Sequence, residues 1–132
     1  MNKKNKTILV TASAKRLGKF IISNLVDSGW SIALHYNKSK KLAEETAEEL
    51  TKMGGKVNLY QADLSDKSDI ESLIKNLEAD KLTWTGLINN AGYFSYDNGN
   101  NFNINELHNH MSVNFIAPAM LTKALANYTI EK

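Results

Sequence analysis

Cysteine is absent from these 132 residues, which excludes disulfides and thiolate metal sites and fits a reducing cytosol. Charge of one sign is not in excess: 16 Lys and Arg stand against 14 Asp and Glu, a net of +2. That balance gives no argument for nucleic acid. No apolar run approaches the roughly 20 residues that span a bilayer. The basic start, Met1 to Lys6, leads into an apolar stretch of only Thr7 to Val10, too short for a secretion signal. Proline occurs once, at Pro118. What remains is a soluble, cytoplasmic chain with no membrane and no nucleic-acid partner. Hydrophobic residues make up 42% and charged residues 23%, as in a globular domain that buries a core, and residues 1–132 read as one domain.

Four apolar stretches alternate with four periodic ones. Thr7–Thr11 reads as a short buried strand. Leu17, Ile21 and Leu25 recur at helical spacing, with Ile22 and Val26 widening the stripe, and Gly29 stops that helix. Ser31–Tyr36 is a second strand. Ser39 caps a helix whose apolar positions are Leu42, Thr46, Leu50 and Met53, and Gly54-Gly55 ends it. Lys56–Gln61 is a third strand. Ser65 or Asp66 caps a helix carrying Ile70, Leu73, Ile74 and Leu77. Leu87 and Ile88 form a fourth strand, ending at Asn89-Asn90. Ser95–Asn103 is an Asn-rich loop. Asn103 and Glu106 resemble a capping box for a last helix through Leu107, Met111, Asn114 and Leu121, kinked or tightly packed at Pro118. The order β-α-β-α-β-α-β-α predicts an α/β fold: a Rossmann-type doubly wound parallel sheet with strand order 3-2-1-4.

Ligands of such a sheet bind beyond the carboxyl ends of its strands. The distinctive segments fall there. After the first strand comes Val10-Thr11-Ala12-Ser13-Ala14-Lys15-Arg16-Leu17-Gly18. A strand that turns tightly into a helix aims free N–H groups and the positive helix dipole at one point, which suits a phosphate. Lys15 and Arg16 add side-chain charge there. After the second strand comes His35-Tyr36-Asn37-Lys38-Ser39, with no acid before Glu44. A site for NAD usually ends this strand in an acid that accepts from the ribose 2′-hydroxyl. A 2′-phosphate is instead suited by Lys38, Ser39, and Lys15 or Arg16. NADP(H) is the expected cofactor, although Lys38 taken alone is equally a solvated loop lysine. Asn89-Asn90-Ala91-Gly92 follows the fourth strand; its asparagines could also be plain turn residues.

These segments resemble the N-terminal half of the short-chain dehydrogenases/reductases. The family's Thr-Gly-x-x-x-Gly-x-Gly turn is matched at Thr11–Gly18, with Ala12 and Arg16 replacing two of its three glycines. Its Asn-Asn-Ala-Gly is intact at residues 89–92, and Val113-Asn114 with Ala117-Pro118 matches its active-site helix. Ala14-Lys15-Arg16-Leu17-Gly18, His35–Ser39 and Gln61-Ala62-Asp63-Leu64-Ser65 look like the pteridine-reductase branch. Gly92 stands where that branch often has Ser.

The resemblance implies cofactor contacts from Thr11, Ser13, Lys15, Arg16, Leu17 and Gly18 in the turn. It implies further contacts from His35, Tyr36, Asn37, Lys38 and Ser39 after the second strand. Asp63 would meet the adenine, Leu64 beside it would also contact the cofactor, and Asn90, Ala91 and Gly92 would line the ribose. Asn114 is either a satisfied core amide or the family's catalytic Asn. Phe94 either stacks on a pterin substrate or closes a loop over the core. His108 and His110 do not share a helix face and read as surface residues; no metal site is expected. Trp30, Tyr36, Tyr60 and Trp84 read as packing residues.

The family's reaction is hydride transfer to a carbonyl or a pterin-type C=N, with a Ser and a Tyr-x-x-x-Lys handling the proton after a fifth strand. Tyr128-x-x-x-Lys132 fits that spacing but follows Asn114 too closely, with no strand or Ser before it, and reads as a chance match. The expectation is therefore the cofactor-binding part of an NADP(H)-dependent reductase of a small molecule, lacking its C-terminal catalytic half. It would be a homo-oligomer at full length, or paired with a complementing C-terminal chain. The alternative is a non-catalytic nucleotide-binding or oligomerising module.

Overall fold

The computed structural model describes residues 6–130. The basic segment before Lys6, and Lys132, lie outside the described residues. Four parallel strands form one sheet: β1 (Thr7–Val10), β2 (Ser31–Tyr36), β3 (Val57–Gln61) and β4 (Trp84–Ile88), in the order β3-β2-β1-β4. Between them run α1 (Arg16–Asp27), α2 (Lys40–Lys52) and α3 (Lys67–Ala79). After β4 come α4 (Ile104–Met111), a π-helical turn (Ser112–Ile116) and α5 (Ala117–Ile130). The expected doubly wound topology and strand order are observed.

Alternation along β1 and β2 explains why helices cover both faces. Ile8, Val10, Ile32 and Leu34 point to one side and pack with Ile22, Ala43 and Leu50 of α1 and α2. Leu9 and Ala33 point to the other and pack with Ile70, Leu73, Leu77 and Leu121 of α3 and α5. Trp84 is fully buried in that second layer, its indole N–H donating to the Gly86 carbonyl at 2.9 Å. Strands buried on both faces need continuous apolar runs, which is what Ile8–Val10 and Ile32–Leu34 supply.

Several helix details differ from the expectation. In α1 the buried positions are Gly18 and Ile22, and Leu17 is 63% exposed, because the first turn faces the Ala12–Ser13 backbone with Gly18. In α2 the seam is Ala43, Thr46 and Leu50. Leu42 and Met53 are exposed, to one side of that seam. Ser39 occupies the N-cap of α2 but its side chain makes no capping bond. Asp66, rather than Ser65, caps α3, accepting from the Ser68 and Asp69 N–H groups. Asn103 caps α4 through Asn105, and Glu106 turns away to Tyr93 instead of closing a reciprocal box.

The last helix is not one α-helix. It widens over Ser112–Ile116, just ahead of Pro118. Pro118 has no N–H to give the carbonyl of Asn114, so the α ladder is broken at that residue, and a π turn is one way the chain accommodates the gap.

Candidate functional site

The turn after β1 is held from beneath by its own polar side chains. Thr11 and Ser13 are buried. Thr11 Oγ1 accepts from the N–H groups of Asn90 and Ala91, both at 2.9 Å. Ser13 Oγ donates to the Val10 carbonyl at 2.7 Å. Asn90 Nδ2 donates back to the Thr11 and Ala12 carbonyls. The turns after β1 and β4 are thus one unit, and Thr11 and Asn90 are its fasteners. A Cβ on Gly18 would lie 2.3 Å from the Ala12 carbonyl oxygen and 2.6 Å from Ser13 Cα, so α1 reaches this turn only because position 18 is glycine. Ala12 and Arg16, which replace the family's other glycines, both take left-handed backbone, at φ 51° and 52°. They keep the shape of the glycine turn at a cost of about 1–2 kcal/mol each.

His35 joins the turn to the neighbouring loop. It is buried, its Nδ1 accepts from the Ala12 N–H at 3.0 Å, and its Nε2 donates to the Ala62 carbonyl at 3.0 Å. Burial lowers its pKa, opposed by the Ala62 carbonyl and the charge of Asp63. His35 is therefore a strut whose ring also lines the cleft, with both nitrogens committed.

The charged groups at this edge are uneven. Five lysines elsewhere on the surface pair with glutamates: Lys19, Lys40, Lys41, Lys52 and Lys67. Lys15, Arg16 and Lys38, all exposed, have no ion pair among the described residues, and neither do Lys56, Lys75, Lys81 and Lys123 away from this edge. The first turn of α1 carries no acid and no side-chain cap. Ser39 stands beside Lys38 with its hydroxyl unused by the helix. Asp63 spends one oxygen on its own loop, with Oδ1 accepting from the Ser65 N–H at 2.9 Å and hydroxyl at 2.6 Å. Asp69 Oδ2 accepts from the Asp63 N–H.

The fourth corner was the least legible. Asn114, on the π turn, clasps the Tyr93 peptide: its Oδ1 accepts from the N–H and its Nδ2 donates to the carbonyl, both at 2.8 Å. Tyr93 donates its hydroxyl to Glu106, whose carboxylate raises the phenol pKa. His110 is no idle surface residue. Its Nδ1 donates to the Glu106 carbonyl at 2.7 Å and its Nε2 accepts from the Ser95 N–H at 3.1 Å. Phe94 is 72% exposed and meets Tyr96 edge-on at 4.8 Å, not the core. His108 is exposed.

A cleft of about 430 Å3 opens between these loops. Of the expected residues, His35, Asn37, Lys38, Asp63, Leu64, Ala91 and Gly92 line it. Ala12, Ser65, Tyr93, Asn109 and Val113 line it as well, without an expected cofactor role; Ala12, Ser65 and Val113 lie inside the recognised motifs and Tyr93 directly follows Asn89–Gly92, which was the available signal. Thr11, Ser13, Gly18 and Asn90 support the walls. Lys15, Arg16, Leu17, Tyr36 and Ser39 lie outside the lining, with Tyr36 packed on the α1–α2 side. Tyr128 is far from it: its hydroxyl donates to the Leu82 carbonyl and its ring tilts onto Trp84, at the opposite edge of the sheet. Among the described residues there is no group of three or more His, Asp or Glu that could hold a metal, and no helix long and apolar enough to cross a membrane.

The profile of the short chain dehydrogenase family matches residues 6–132. The chain is similar to the short-chain dehydrogenase/reductase homolog YusS of Bacillus subtilis, at 37% identity over 91 residues, 69% of this chain and 84% of that protein. It is 31% identical over 90 residues to the 3-oxoacyl-(acyl-carrier-protein) reductase FabG of Staphylococcus aureus, covering 68% of this chain and 37% of that one. Among solved structures, FolM alternative dihydrofolate reductase 1 of Brucella canis, complexed with NADP, matches with a TM-score of 0.84 and 29% identity. That match takes in 96% of this chain and 50% of the other, so the chain spans half the length of this solved relative. The family match over nearly the whole length, on a sheet of order 3-2-1-4 with its motifs at one edge, makes this chain a member of the short-chain dehydrogenase/reductase family.

Proposed function

We propose that this chain binds NADP(H) across the carboxyl edge of its sheet and serves as the cofactor-binding part of a reductase acting on a carbonyl or a pterin-type C=N. The observation that carries the reading is the acid-free segment after β2, His35 to Ser39, whose Lys38 lines the cleft, with Lys15 and Arg16 in the turn after the neighbouring β1. Cations there suit a 2′-phosphate, and a bare ribose hydroxyl calls for an acid instead. The NADP bound by the FolM relative supports the same reading.

In this reading the α1 N-terminus and Lys15 or Arg16 hold phosphate oxygens, and Lys38 and Ser39 hold the 2′-phosphate. Asp63 and Leu64 flank the adenine. Ala91 and Gly92 leave room for the ribose, since an added Cβ at Gly92 would find only Asn114 Oδ1, at 3.9 Å. NADPH supplies hydride when bound. Asn114 orients the loop that carries Phe94, and Phe94 offers a flat face for a planar substrate. FolM and FabG relatives point to dihydrofolate-type and oxoacyl substrates respectively.

The test is titration of the chain with NADPH and NADH, followed by nicotinamide fluorescence. NADPH is expected to bind at least about tenfold more tightly, with the advantage shrinking at high salt. Equal affinity for the two, or no binding, overturns the proposal. A second reading is a nucleotide-binding or oligomerising module without turnover. It is favoured by Tyr128, whose hydroxyl is engaged at the edge opposite the cleft. Sedimentation together with turnover assays on dihydropterin and oxoacyl substrates separates the two.

A further inference from the structure

The turn after β1 departs from the glycine pattern yet keeps the glycine conformation, and something must hold it there. Ala12 sits at φ 51°, where an alanine is strained and a glycine is not. Its N–H points into the protein and is taken by His35 Nδ1 at 3.0 Å. The next N–H, of Ser13, is taken by the His35 backbone carbonyl, also at 3.0 Å. The far side of the ring is anchored on the Ala62 carbonyl at 3.0 Å. One residue thus accepts two successive N–H groups of the turn and braces them against the loop that carries Asp63.

We infer that His35, as a neutral imidazole with its proton on Nε2, is a positioning residue that holds the cofactor turn in its left-handed shape in place of glycine at position 12. This inference rests on the proposed cofactor reading, since the turn it holds is the phosphate turn of that reading.

The arrangement makes the turn sensitive to acid. A proton added to Nδ1 replaces an acceptor with an N–H facing the Ala12 N–H, and the bond is lost. Asp63 faces the ring from the loop after β3 and favours the added proton; the turn after β1 presents backbone N–H groups, which oppose it. Lys38, farther along the ring's own strand end, lines the same cleft. Burial is the largest influence and holds the imidazole neutral.

The experiment compares the wild-type chain with His35→Leu, which has no acceptor, and His35→Asn, whose Oδ1 falls near the place of Nδ1 and does not titrate. Each is made with and without Ala12→Gly. Affinity for NADPH is measured between about pH 5 and 8, alongside hydrogen exchange of the Ala12 amide and the 15N shifts of the His35 ring. The wild type is expected to show an Nε2–H ring and a protected Ala12 amide, and to lose NADPH affinity on acidification. His35→Asn is expected to keep the amide protected and to show a shallower pH profile than the wild type, with only the titration of the 2′-phosphate itself remaining. His35→Leu is expected to lose affinity about tenfold, with Ala12→Gly restoring most of it. An unprotected Ala12 amide in the wild type, coincident pH profiles for wild type and His35→Asn, or no rescue by Ala12→Gly overturns the inference. If His35→Leu does not fold, the wild-type and His35→Asn measurements still decide. If the wild type binds no NADPH, the cofactor reading fails, and the ring shifts and amide exchange judge His35 separately.

Discussion

Asn114 grips both sides of the Tyr93 peptide, accepting from its N–H and donating to its carbonyl at 2.8 Å each. The grip fixes the chain just past Gly92 to the π turn of the last helix. Asn114→Ala is expected to lower stability by about 1–2 kcal/mol, two modest hydrogen bonds. It should also expose the Tyr93 amide to hydrogen exchange. Asn114→Asp retains the acceptor but sets a carboxylate against the Tyr93 carbonyl, and should rescue less than half of the loss. Urea melts and amide exchange measure both.

Gly18 and Ala12 respond in opposite directions to the same one-carbon change. Gly18→Ala drives a Cβ into backbone atoms at 2.3 and 2.6 Å that cannot swing aside. A loss of about 1–3 kcal/mol follows, as for an overpacked core. Ala12→Gly relieves left-handed backbone and should stabilise by about 1 kcal/mol. Thermal melts of the two single variants give the signs directly.

Lys38 is expected to set cofactor preference. Lys38→Ala should weaken NADPH binding about tenfold and leave NADH unchanged. Lys38→Asp should lower NADPH affinity further and raise NADH affinity, because a carboxylate repels the 2′-phosphate and accepts from a 2′-hydroxyl. Parallel fall in both affinities would show that Lys38 only shapes the loop.

His35 predicts how stability changes with pH. Its pKa is lowered in the fold, chiefly by burial, from the ordinary 6.5. Between the lowered value and 6.5 the unfolded chain binds the proton and the folded chain does not, so stability rises with pH across that window. The contribution is complete above about 6.5 and is lost as the pH falls, at up to about 1.4 kcal/mol per pH unit. Urea melts at successive pH values should show this slope in the wild type and a smaller one in His35→Asn.

Tyr128 provides a control. Tyr128→Phe removes a hydroxyl bound to the Leu82 carbonyl and keeps the ring on Trp84. It should cost about 1 kcal/mol of stability and leave NADPH affinity unchanged. A loss of affinity would bring Tyr128 back into the site.

Where local rules suffice, the sequence was readable. Ile70, Leu73 and Leu77 form the buried seam of α3 and Asp66 caps it, both through contacts within a few residues. Leu17, Leu42 and Met53 misled because periodicity marks an apolar stripe without saying how close the helix lies to the sheet. Ala43 and Gly18 are buried beside the expected Ile22, Thr46 and Leu50, and were missed because small residues carry little hydrophobic signal. Asn103 read correctly as a cap, whereas its partner Glu106 was drawn away by Tyr93, a residue in the loop after β4. His110 was missed for the same reason: its partner Ser95 lies across the Asn-rich loop.

By itself the sequence determined the alternation of strands and helices, the strand order 3-2-1-4, the family, and the edge of the sheet at which polar and basic residues collect. Those follow from periodicity, chain direction and short motifs, all local in the chain. Only the tertiary structure decided what each of those residues does. Thr11, Asn90 and His35 became fasteners because segments 23 to 80 residues apart meet there, with N–H groups that have to be satisfied. Lys15, Arg16 and Lys38 make no ion pair among the described residues; Glu44, the carboxylate nearest to Lys38 in sequence, folds onto Lys40 instead.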